Sequence, residues 1–98
     1  MDRSSIQDAV RTVVAPYDVR EAYLYGSYAR GDQTDDSDID LRFLCGSNID
    51  FGQLYDIQKE LESRLGKPVD IATAPPSQMR KSFYNRIKRD EVMLYAAV

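Results

Sequence analysis

A glycine–serine pair and two aspartates one residue apart lie close together in LYGSYARGDQTDDSDIDLRFL. Gly26 permits close approach to the backbone, and the amides that open the following turn can donate to phosphate oxygens. The Ser27 hydroxyl adds a donor, and Arg30, one turn onward, supplies positive charge for phosphates. Ten residues separate Ser27 from Asp38, and Asp40 follows two positions later. On a strand these two side chains project from one face. Carboxylates about 6–7 Å apart along the backbone repel in a low-dielectric setting, and a shared divalent cation removes that repulsion. Asp70, in KPVDIAT, adds a third carboxylate if its strand lies beside the first. The chain has no His and a single Cys, which disfavours zinc and leaves hard, oxygen-bound ions such as magnesium or manganese. Three carboxylates can hold two magnesium ions, which suits in-line displacement on a nucleoside triphosphate.

Each feature alone has a plainer explanation. A Gly-Ser pair is a common strand-to-turn junction, an Asp-x-Asp pair often sits on a solvated strand, and a lone arginine is usually a surface charge. Asp32, Asp35 and Asp36 suit a solvated turn. The combination at fixed spacing carries the argument.

The elements that must position these residues are legible from periodicity. A first helix is expected from about Ser4 or Ser5 to Ala15, with Ile6, Ala9, Val10, Val13 and Val14 on one face, a serine cap before it and Pro16 after it. Ala22–Tyr25 reads as a short strand, Tyr28–Gly31 as a helical turn, and Asp38–Cys45 as a half-buried strand. On that last strand Ile39, Leu41, Phe43 and Cys45 share one face; Asp38, Asp40, Arg42 and Leu44 share the other. Phe51–Leu65 has helical spacing and ends at Gly66, a suitable C-terminal cap. Val69–Thr73 reads as a third strand, and a closing helix is expected from Pro75-Pro76-Ser77 to about Tyr95, with Met79, Phe83, Ile87 and Leu94 near helical spacing. The order predicts an α/β (α+β) domain with a small sheet flanked by helices.

At 98 residues the chain suits one domain spanning positions 1–98. Its 43% hydrophobic and 30% charged residues form an ordinary globular balance. A net charge of −3 argues against stable, sequence-independent binding to nucleic acid. Cys45 reads as a small hydrophobe on a strand. No apolar run approaches the roughly 20 residues that span a membrane, and the amino terminus lacks a signal-peptide pattern, so the expected location is the cytoplasm. Tyr23, Tyr25 and Tyr28 read as packing residues around the motif. Arg42 shares the aspartate face, where it can neutralise the acids or touch phosphate, and the sequence does not separate these roles. The basic closing helix, with Arg80, Lys81, Arg86, Lys88 and Arg89, is a candidate partner contact.

GSYARG followed by SDIDL resembles the signature of the nucleotidyltransferase superfamily that includes DNA polymerase beta. Within it the chain is most similar to the minimal nucleotidyltransferases. The resemblance implies a mixed sheet flanked by helices, metal binding by Asp38, Asp40 and Asp70, and triphosphate binding at Gly26 and Ser27. It implies that Asp70 activates an acceptor hydroxyl and that AMP passes from ATP with pyrophosphate leaving. Stand-alone members resemble antitoxins that adenylylate a tyrosine of a HEPN-type toxin. An RNA end or a small hydroxylated molecule as acceptor, and a non-catalytic binding antitoxin, are the alternatives.

Overall fold

The computed structural model describes residues 1–73 and 79–97. Helix α1 spans Arg3–Val14, strand β1 Val19–Tyr25, the short helix α2 Ser27–Arg30 and strand β2 Ile39–Cys45. Helix α3 spans Phe51–Leu65, strand β3 Val69–Ala72, helix α4 Lys81–Asp90 and strand β4 Val92–Ala96. The four strands form one sheet in the order β3-β2-β1-β4. β1 runs antiparallel to both β2 and β4, whereas β3 joins β2 in parallel through the α3 crossover. A mixed sheet with helices is the expected class.

One face of the sheet carries the core. Ile6, Val10 and Val14 of α1 and Ile57 and Leu61 of α3 pack with Leu24, Ile39, Leu41, Phe43 and Leu94 from three strands, all at 1% exposure or less. Tyr28 and Ala29 of α2 join this cluster, so the turn after β1 is fastened to the core rather than left at the surface. Arg3 of α1 also donates to the Ala29 carbonyl at 3.0 Å.

Local chemistry sets the helix ends. The Asp2 side chain caps α1 by accepting from the Ser5 amide at 2.9 Å, so the cap is an aspartate and not the expected serine. Asp50 and Gln53 form a reciprocal capping box at the start of α3. Gly66, with φ of 69°, closes α3 in the left-handed conformation.

The expectation for the carboxy-terminal third needs correction. Pro75, Pro76 and Ser77, expected to open the last helix, lie outside the described residues. That helix ends at Asp90, not near Tyr95. Glu91 is extended at φ −70° and ψ 146°, and Val92–Ala96 pairs with β1. Leu94 therefore reaches the core from a strand. The segment VMLYA carries apolar and aromatic residues that suit a strand, and neither Gly nor Pro marks the junction. Ile87 and Leu94 are also seven apart, a spacing that mimics continued helix.

Candidate active site

The opposite face of the sheet holds the polar residues. Tyr25 lies directly across from Asp40, and Asp40 directly across from Asp70. Facing residues on adjacent strands share a side of the sheet, so Tyr25, Asp40 and Asp70 form a row over three strands. Asp38 immediately precedes β2 rather than lying within it. It is nonetheless close enough that its charge raises the Asp40 pKa.

Asp40 is partly buried, while Asp38 and Asp70 are exposed. Its pKa is raised, first by desolvation, then by the charges of Asp70 and Asp38; Arg30 opposes this more weakly. Tyr25 feels the same field. Burial, then Asp40 and Asp70, push its phenol up to about 12. Among the described residues none of the three aspartates ion-pairs with Lys or Arg.

Gly26 and Ser27 sit where β1 turns into α2. Gly26 adopts φ 74° and ψ −154°, and a Cβ there would run into the Asp40 carboxylate. Only glycine fits both constraints. The turn is thus pressed against Asp40, and among the described residues no side chain caps the α2 amides. Arg30 closes α2 and bridges Asp32 at 3.1 Å and Asp90 of α4 at 3.4 Å. The structure thus brings Gly26, Asp40 and Asp70 into one neighbourhood, with Arg30 acting on Asp40 through its charge.

A divalent cation suits this donor set. A carboxylate whose pKa is raised by burial and by two neighbouring acids, with no ion pair among the described residues, favours a hard metal. Among the described residues no three acidic, His or Cys side chains converge tightly enough to cage an ion by themselves. An ion held by these acids would need further ligands, such as waters and substrate phosphates, which magnesium accepts. Asp40 and Asp70, with Asp38 beside them, would hold the ion and offset charge on the phosphate chain.

Arg42 has a different assignment. It is 6% exposed, donates from Nε and Nη2 to the two carboxylate oxygens of Glu91, both at 3.0 Å, and stacks 4.5 Å from the centre of the Tyr23 ring. It ties the α4–β4 junction to the sheet. Local pattern does not point to Glu91 as the partner, because the two residues meet only through the pairing of β4 with β1. Tyr28 is buried packing, and Tyr25 meets Phe83 edge-on with ring centres 6.4 Å apart. Cys45 is half-buried beside the core, as expected of a small hydrophobe.

Residues 8–97 match the family model described as Polymerase beta, Nucleotidyltransferase. A Methanocaldococcus jannaschii protein named a candidate protein adenylyltransferase is 34% identical over 73 residues, covering 74% of this chain and 78% of that protein. The solved structure of a candidate minimal nucleotidyltransferase superposes with a TM-score of 0.76 at 24% identity, covering 94% of this chain and 95% of the other. A toxin–antitoxin structure with AMP-PNP gives a TM-score of 0.75 at 20% identity, covering 93% and 73%. A complex of tri-AMPylated Shewanella oneidensis HEPN toxin with its MNT antitoxin gives 0.67 at 17% identity, covering 94% and 71%. This chain belongs to the polymerase beta nucleotidyltransferase family, and it is a nucleotidyltransferase.

Proposed function

We propose that the chain transfers AMP from ATP to a hydroxyl, a tyrosine of a HEPN-type partner protein, and so acts as the antitoxin of a toxin–antitoxin pair. The observation that carries the chemistry is the register of Asp40 with Asp70 beside a glycine turn that admits no side chain. In this reading the turn at Gly26 and Ser27 holds the triphosphate, with Arg30 adding charge. Asp38, Asp40 and Asp70 would hold magnesium, as two ions, which would stabilise charge on the phosphates. Asp70 is exposed, as an acid that must meet a second substrate should be. Its carboxylate accepts the proton of the acceptor hydroxyl. The hydroxyl oxygen bonds to the α-phosphorus, the bond from that phosphorus to the bridging oxygen breaks, and pyrophosphate leaves.

The acceptor assignment is supported by likeness: the M. jannaschii relative is named for protein adenylylation, and the toxin in the S. oneidensis complex is AMPylated. Exposed Lys81, Lys88 and Arg89 on α4 supply a basic face for a partner protein. The net charge of −3 speaks against RNA. Among the described residues no helix is long and apolar enough to cross a membrane.

The test is incubation with ATP labelled on the α-phosphate, magnesium, and either a co-encoded HEPN protein or RNA. Label on a tyrosine of the protein supports the proposal. Label on RNA alone moves the acceptor, and neutralisation of a toxin without any label makes the chain a binding antitoxin.

A further inference from the structure

We propose that Arg86 is a second guanidinium for the phosphate chain and grips its pyrophosphate end. This rests on the nucleotidyl-transfer reading above and adds a residue to it. Phe83, Arg86, Ile87 and Asp90 fall at i, i+3, i+4 and i+7 on α4, which makes one stripe. The stripe faces Tyr25, Gly26 and Arg30 across a cavity of about 120 Å³. Asp90 already holds Arg30 across this gap. Arg86, one turn back on the same stripe, is exposed and makes no ion pair among the described residues.

Charge and size select the occupant. Arg30 is already met by Asp32 and Asp90, so Arg86 is the guanidinium on these walls left without an ion pair among the described residues. A cation is repelled there, and an apolar ligand leaves Arg86 unused. The volume equals roughly four waters at their liquid volume and falls well below the ~300 Å³ of a small-molecule pocket. A diphosphate fits where a whole nucleotide does not. Gly26 lines this cavity on one side and touches Asp40 on the other, so an anion held here lies one residue's thickness from the acids. Arginine binds phosphate through paired N–H groups, a geometry that lysine lacks.

The experiment measures affinity of the full chain for ATP, AMP and inorganic pyrophosphate in magnesium, using calorimetry, for wild type, Arg86→Gln, Arg86→Lys and, as a control on α3 outside the cavity lining, Arg64→Gln. Arg86→Gln is expected to weaken ATP and pyrophosphate binding by about tenfold or more and to leave AMP within about twofold. Arg86→Lys should fall between, and Arg64→Gln should match wild type. A merely structural role would weaken AMP as much as ATP. Unchanged ATP and pyrophosphate affinity in Arg86→Gln, with AMP transfer intact, would remove Arg86 and leave the transfer reading standing. A wild-type chain that binds neither ATP nor pyrophosphate would remove both.

Discussion

Gly26 and Asp40 are packed so closely that no side chain fits between the turn after β1 and the acid on β2. The contact ties a candidate phosphate-binding turn to a candidate metal ligand across the antiparallel β1–β2 ladder. Its geometry depends on a positive φ at Gly26 as well as on space. Substituting Gly26→Ala adds strain to a steric conflict and should cost about 1–3 kcal/mol of stability. AMP transfer should fall further, by roughly a hundredfold, because displacing Asp40 misplaces the reacting groups. Urea unfolding and a label-transfer assay on the same sample check both. Full activity in Gly26→Ala would show that the turn and the acid are not coupled.

Asp40 gives a stability prediction with a definite sign. Its folded pKa is raised by desolvation and then by Asp70 and Asp38, so ionising it opposes folding. Its contribution is therefore most favourable below the ordinary carboxylate pKa and is lost as pH rises through the raised value. Asp40→Asn should be more stable than wild type at neutral pH without metal, and the difference should shrink on acidification. Magnesium with ATP should stabilise wild type and fail to stabilise the variant. Thermal melts across pH, with and without these ligands, read this directly. An Asp40→Asn protein less stable than wild type at pH 7 would contradict the electrostatic assignment.

Tyr25 reports the same field by another route. Its phenol is pushed up to about 12, by burial first and by Asp40 and Asp70 next. Removing both charges in Asp40→Asn/Asp70→Asn should bring its titration down while leaving the burial component in place. Absorbance of the phenolate against pH, with Tyr25→Phe identifying the component, measures it. No movement would place the acids too far away to act on Tyr25.

The Arg42–Glu91 pair should be strongly coupled. Both side chains are largely enclosed, at 8% and 13% exposure, so removing one strands the other. Arg42→Met alone should cost about 3–5 kcal/mol, while Arg42→Met/Glu91→Leu should recover most of the loss. A double-mutant cycle by urea unfolding tests this. Equal loss in the single and double variants would show that the pair's geometry is not what holds the α4–β4 junction.

Much of this arrangement was legible in the amino-acid order because local patterns agreed with the fold. Alternation placed Ile39, Leu41 and Phe43 in the core and Asp40 on the other face, and Phe51–Leu65 kept its helical bounds. The pairing of Asp40 with Asp70 was an expectation of adjacency, and the β2–β3 register supplies it. Three features escaped for physical reasons. Strand β4 exists because β1 offers an unpaired edge, a tertiary condition that VMLYA alone does not announce. Arg42 could not be assigned because Glu91 is 49 residues away and becomes its neighbour only when β4 docks. Asp38 was expected within the strand and instead precedes it, since the Asx-rich turn runs up to Ile39.

The central claim is that Asp40 and Asp70 act together on a divalent cation to move AMP. The most direct measurement is magnesium-dependent transfer of α-phosphate label from ATP to the partner protein by wild type, Asp40→Asn and Asp70→Asn, each confirmed folded by circular dichroism. Wild type should transfer label only with magnesium or manganese present, and each variant should lose at least about a thousandfold in rate. Undiminished transfer by either folded variant, or transfer by wild type in excess chelator, would contradict it.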